Sequence, residues 1–299
     1  MMTTTWKNLL STKSLVLADG GMGTTLFSLG LDRGTAPELW NLERSETIAE
    51  IHRGYIQAGS QIILTNSFGG NRARLSRHNI GDQALEINRA AAEIARREAD
   101  GARHDVLVGG SIGPTGRLME PLGDLSSDEA EAIFTEQASG LVDGGVDVLW
   151  IETMSDLQEV GAAIRACMGV AAKKPIIATM TFDTHGHTAM GVSPEDAVAN
   201  LSEYHLAAVG ANCGNGPKEI EGVIAKMHAA DPSKILVAKS NAGMPRLQEG
   251  STVYDASPDV MAEHALRVSA LGARIIGACC GSTADHIRAM AEAIKAHHG

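Results

Sequence analysis

The amino-acid sequence predicts an α/β protein folded as a single-domain (β/α)8 TIM barrel over residues 1–299, with its core at about 15–297. Three observations carry that prediction. Eight short apolar runs are spaced along the chain, stretches of helical periodicity separate them, and no linker or composition break divides the sequence.

The runs are, in order, "SLVLADG", "SQIILTNS", "DVLVGGS", "VDVLWIET", "PIIATMTF", "LAAVGANC", "KILVAKSN" and "ARIIGACC". Continuous rather than alternating hydrophobicity marks strands buried on both faces, as in a parallel sheet covered by helices. Between them, "SETIAEIHRGYIQAG" opens on Ser45, a candidate cap, and closes on glycine. "SSDEAEAIFTEQASGLVDGG" and "SPDVMAEHALRVSALGA" repeat the pattern, with Ser, Asp or Glu early and Gly late. A doubly wound open sheet is the alternative arrangement of the same units.

Composition narrows the function. With 44% hydrophobic residues the chain can bury a substantial core, and a net charge of -11 argues against nucleic-acid or anionic-membrane partners. No apolar run approaches the roughly 20 residues of a membrane span. The opening "MMTTTWKNLLSTKS" does not read as a secretion leader. Four cysteines in 299 residues do not make a disulfide framework. A reducing cytoplasm is therefore expected, with thiols free or bound to metal.

A barrel places its chemistry where strands end. Polar residues fall there: Asp19, Asn66, Ser111, Glu152, Asp183, Cys213, Asn241, and the pair Cys279 and Cys280. The sixth and eighth strands of a closed barrel are separated by one strand, so Cys213 can face Cys279 and Cys280. Three converging thiolates form an open Zn²⁺ site with a free fourth position. Gly281 would allow the turn that lets adjacent cysteines ligate together. Spacing alone leaves a plainer reading, three small apolar side chains packed under the rim. Cys167, in mid-helix, is expected to be packing.

Four motifs, "LADGGMGTTL", "ILTNSFGGNRARL", "GANCGNGP" and "IIGACCGST", resemble those of the homocysteine S-methyltransferase family, in the family's order. That family includes betaine–homocysteine methyltransferases and the homocysteine domain of cobalamin-dependent methionine synthase. The resemblance implies a zinc barrel with Cys213, Cys279 and Cys280 as ligands. It implies homocysteine as substrate, with its ammonium at Asp19 and Glu152 and its carboxylate near the backbone of Gly20 and Gly21. Without the resemblance, the two acids read equally as a helix cap and a rim salt bridge. Asn241, in "KSNAGMP", is a candidate substrate- or zinc-side contact, or simply loop structure.

The methyl donor is less defined. Onium donors favour aromatic faces, and Trp40 and Phe68 are the candidate donor contacts. Trp40 could equally staple the following helix, and Trp150 is expected to pack in the wall. Where betaine-using animal relatives carry a tyrosine, this sequence reads Gly69-Gly70 after Phe68, and Thr153 replaces another after Glu152. A betaine-like onium donor is the leading expectation. S-methylmethionine, or a methyl-corrinoid brought by a partner protein, are alternatives. A non-catalytic zinc- or homocysteine-binding barrel is the rival of another class, and a redox role for the paired cysteines a further one. His185 and His187 are expected in a solvated loop, the tail "KAHHG" is expected to be disordered, and a homo-oligomer is open.

Overall fold

A computed structural model describes residues 5–32, 34–248 and 251–298. The eight apolar runs become β1 (Val16–Leu17), β2 (Ile62–Leu64), β3 (Leu107–Ile112), β4 (Val148–Met154), β5 (Ile176–Met180), β6 (Ala208–Cys213), β7 (Leu236–Ser240) and, after a small hairpin, β10 (Ala273–Ala278). The hairpin pairs β8 (Arg246–Gln248) with β9 (Ser251–Val253). The eight-stranded sheet is parallel throughout, in the order β1-β10-β7-β6-β5-β4-β3-β2. A parallel bridge, Ala18 to Ile62, joins the two end strands and closes the barrel. That closure excludes the doubly wound alternative.

The closing seam is short in backbone and completed by side chains. Gln61 N–H donates to the Leu17 carbonyl at 2.7 Å, and Leu17 N–H returns to Gln61 Oε1 at 3.2 Å. One turn further, Leu64 N–H donates to Asp19 Oδ2 at 2.7 Å. A carboxylate thus takes the place of a ladder carbonyl at the rim.

Two apolar layers result. Val16, Ala18, Ile62, Leu107, Val148, Trp150, Ile177, Val237 and Ile275 fill the barrel interior, and Leu9 joins them from below. Leu9 belongs to the helix Trp6–Thr12, which the periodicity argument did not anticipate; capped by Thr5, it packs Trp6 and Leu10 against the same cluster. The larger layer lies between the sheet and the outer helices and includes buried Cys167.

Helix ends follow the sequence grammar, with two corrections. Ser126 and Ser257 cap Ser127–Asp143 and Pro258–Ala270 through their side chains. Ser45 does not act as a cap: the helix Ser45–Ala58 starts at it, Arg44 stands at the cap position, and no side-chain cap bond forms. The final helix runs Ala284–His298, so most of the tail expected to be disordered is helical. Its apolar positions continue the stripe that packs Ile287, Met290 and Ile294 on the core.

Candidate active site at the carboxyl ends of the strands

The C-terminal ends of the strands surround a cavity of about 260 Å³. Its lining includes Asp19, Gly20, Gly21, Glu38, Phe68, Glu152, Lys239, Cys213, Cys279 and Cys280. The fold brings together the three cysteines, both predicted acids, both glycines and Phe68.

The thiols come from two neighbouring loops. Cys213 ends β6 in the left-handed region, at φ 67°, and Gly281 follows the pair at φ 80°. These turns direct Cys213 toward Cys279 and Cys280, and the three Sγ atoms lie within 4.8 Å of one another. Asn241 ties the loops together: its Nδ2 donates to the Gly214 carbonyl at 2.6 Å, and its Oδ1 accepts from Cys280 N–H at 3.0 Å. These two bonds clamp the thiol loops together, a contact on the side of the predicted ligand Cys280, and Asn241 itself does not line the cavity. The thiols also share charge. Hydrogen bonding to Cys279 and Cys280 pushes the Cys213 thiol up, while hydrogen bonds from Cys213 and Cys279 hold Cys280 well below the usual thiol range. Three soft sulfur donors, with neither histidine nor carboxylate in the cluster, suit zinc.

Beside the thiols lies a buried ionic group. Asp19 Oδ1 accepts from Lys239 Nζ at 2.7 Å, and both side chains are only 3% exposed. The Lys239 ammonium also sits 5.5 Å from the centre of the Trp150 ring, inside the barrel. Glu152 accepts from Ser111 Oγ. Burial raises the Asp19 carboxyl against the opposing pull of Lys239, and raises that of Glu152 to about 7. Two carboxyl groups thus face one built-in ammonium, a surplus of acid that fits a ligand ammonium.

Glu152 is held by its neighbour. Thr153 adopts φ 61°, a costly conformation for a β-branched residue. Asn212 secures it: Thr153 N–H donates to Asn212 Oδ1 at 2.8 Å, and Asn212 Nδ2 donates to Thr153 Oγ1 at 2.6 Å. Thr179 Oγ1 also donates to Asn212 Oδ1, at 2.7 Å. Since Asn212 precedes Cys213, the acid-bearing and thiol-bearing strand ends are fixed to each other.

Two expected contacts change. Trp40 is not brought to the cavity: it is 4% exposed in the main core, with the Arg44 guanidinium 4.6 Å from its ring centre. The 3-10 turn Pro37–Leu39 sends Glu38, two residues earlier, to the cavity instead. The Gly21 N–H donates to Ser282 Oγ at 3.0 Å, so it is already occupied. His185 and His187 are exposed in the loop after β5, outside the thiol cluster.

Sequence reasoning did not single out Lys239, Glu38, Asn212 or Tyr254. A lysine inside the apolar run "KILVAKSN" was the readable signal for the first. Tyr254 approaches Gly281 closely and hydrogen-bonds with Cys280, a contact between distant segments that local pattern does not encode.

Fold and site together define a (β/α)8 barrel with a thiol cluster and a buried acidic group in one cavity at the carboxyl ends of its strands. The chain belongs to the homocysteine S-methyltransferase family, whose model matches residues 16–294. It is 33% identical over 296 residues to a methionine synthase of Mycobacterium leprae and 32% identical to one of Mycobacterium tuberculosis. Each match covers 94% of this chain but 24% of the relative, so the chain spans about a quarter of their length. Among solved structures it is similar to the homocysteine methyltransferase MmuM from Escherichia coli. The metallated form gives a TM-score of 0.79 at 24% identity, covering 95% of this chain and 98% of that one. The oxidized form gives 0.79 at 25% identity, covering 97% and 98%.

Proposed function

We propose that this protein transfers a methyl group from an onium donor, betaine-like in character, to the sulfur of homocysteine, producing methionine. The observation that carries the reading is the placement of three thiols and an acidic pocket on the walls of one cavity. Cys213, Cys279 and Cys280 would hold zinc. When bound, zinc supplies the Lewis acidity that keeps a ligating thiol deprotonated at neutral pH.

The chain's own residues do the rest. Asp19 and Glu152 attract the ammonium of the amino acid, and Lys239 holds Asp19 in place. The Thr153–Asn212 lock fixes that anchor relative to the thiols, so the substrate's sulfur end is aimed at Cys213, Cys279 and Cys280. The buried walls exclude water, which strengthens each charge interaction. No protein base is needed: a thiol held by zinc would give up its proton to solvent before attack, and the donor's nitrogen or sulfur keeps the bonding pair and loses its positive charge.

The test is methionine formation by the zinc-loaded protein with homocysteine and, separately, glycine betaine, dimethylsulfoniopropionate, S-methylmethionine and methylcobalamin. Cys213→Ala is expected to lose bound zinc and to lower turnover more than about 100-fold while leaving the barrel folded. Retained zinc with full turnover would overturn the ligand assignment. The similarity to methionine synthases supports one second reading, a methyl-corrinoid presented by a partner protein; turnover with methylcobalamin alone would select it. Binding of zinc and homocysteine with no turnover would leave a binding barrel.

A further inference from the structure

The outer wall of the cavity holds a carboxylate with no function so far. Glu38 lies in the turn Pro37–Leu39, is 4% exposed and lines the cavity. Its Oε1 accepts from Gly69 N–H at 2.6 Å. Among the described residues, no lysine, arginine or histidine nitrogen stands within the 4.0 Å of an ion pair with it. The nearest basic groups are Arg74 and His78, and burial outweighs them, raising the Glu38 carboxyl above its usual range. A buried, unpaired acid at a cavity wall is costly in isolation and gains its partner when a cation enters.

The surrounding residues point to the same class of ligand. A Cβ on Gly69 would stand 2.8 Å from Glu38 Oε1 and 3.3 Å from its Cδ, so the glycine leaves the space that the carboxylate fills. This is the segment where aromatic-caged relatives carry a tyrosine. The two rings expected to contact the donor do not form such a cage either. Phe68 lines the cavity but has the Arg74 guanidinium 5.2 Å from its ring centre, and Trp40 is buried under Arg44.

We infer that Glu38 is the countercharge for a cationic methyl donor, which docks against its carboxylate beside Phe68, so that charge rather than an aromatic cage selects the donor. The inference rests on the methyl-transfer reading above and adds the residue that recognises the donor. In the step itself, the bond from the methyl carbon to the onium nitrogen or sulfur breaks and its electron pair stays with that heteroatom. The carbon bonds to the homocysteine sulfur. The donor loses its positive charge and the thiolate its negative charge. Glu38 therefore holds the donor most strongly before transfer and lets go once the nitrogen or sulfur has lost its positive charge, a contribution to KM rather than kcat.

The experiment uses probe pairs that differ only in that charge. Glycine betaine is compared with 3,3-dimethylbutanoate, and dimethylsulfoniopropionate with 4-methylpentanoate, by calorimetric binding to the wild-type protein without homocysteine, so that no methyl transfer accompanies the titration. The charged member of at least one pair is expected to bind more than about 30-fold tighter. Glu38→Gln is expected to erase that preference and raise the donor KM about 30-fold, with kcat within about threefold and homocysteine binding unchanged. Equal binding within both pairs, an unchanged donor KM in Glu38→Gln, or turnover with methylcobalamin alone would each overturn the inference while leaving homocysteine methylation standing. Wild-type protein that binds neither zinc nor homocysteine would instead remove the reading on which it rests.

Discussion

The two walls of the cavity carry the same residue type in the same degree of burial and treat it oppositely. On the inner wall, Asp19 has Lys239 and the Leu64 amide as partners, and Glu152 has Ser111. On the outer wall, Glu38 accepts from the Gly69 amide and its own, and among the described residues forms no ion pair. The inner acids are braced by the Lys239 ammonium before any ligand reaches them, while the outer one has no such cation among the described residues. Equal burial thus leaves the two walls with different standing partners.

The largest effect is expected where that cation is removed. Lys239→Met should leave Asp19 buried without its ion pair, at a cost of about 3–5 kcal/mol in denaturant unfolding. Lys239→Met combined with Asp19→Asn should recover most of the loss. A double variant no more stable than the single would break the contrast between the walls.

His52 tests what a buried group without a partner among the described residues does outside the lining of the site cavity. It is fully buried in the helix Ser45–Ala58, neither ring nitrogen has a partner among the described residues, and burial lowers its pKa from 6.5 to about 4. The unfolded chain then binds the extra proton between those values. The contribution of neutral His52 is thus complete above pH 6.5 and lost as pH falls toward 4, about 3 kcal/mol in all. Unfolding followed across that range should show a shallower acid slope in His52→Leu than in the wild type; parallel slopes would refute the assignment.

Smaller effects sharpen the inner wall and then the outer one. Asn212→Ala releases the strained Thr153 backbone and is expected to cost about 2 kcal/mol and to weaken homocysteine binding about tenfold by calorimetry. Unchanged affinity would show that Glu152 is positioned without the lock. Gly69→Ala should cost about 1–3 kcal/mol, since its Cβ pushes the buried Glu38 carboxylate off the Gly69 amide. By displacing Glu38 it should raise the donor KM and spare homocysteine binding, and a rise in both would mean that the walls are not independent.

Much of this was readable in the sequence because the strands carry their pattern in order. Eight uninterrupted apolar runs define the barrel, and the polar residues ending them include the thiols and two of the acids. What escaped depends on direction rather than on type. In "APELWNLE" the conspicuous residue is Trp40, yet the turn at Pro37–Leu39 points Glu38 inward and leaves Trp40 in the core. Likewise Asn212 and Asn241 gain meaning from partners 59 and 39 residues away. The helix beneath the barrel was missed because a short amphipathic segment has no strong periodic signal until the interior it covers exists.

The seam at Asp19 gives the molecule a gauge of its own occupancy. The rung that completes the joint between β1 and β2 is a carboxyl side chain, and that side chain faces the cavity. A ligand ammonium drawing on Asp19 competes with the Leu64 amide for the same carboxylate group, yet also holds the carboxylate still. Deuterium uptake at Leu64 accordingly records filling of the pocket as a change in how often the barrel's narrowest joint breathes.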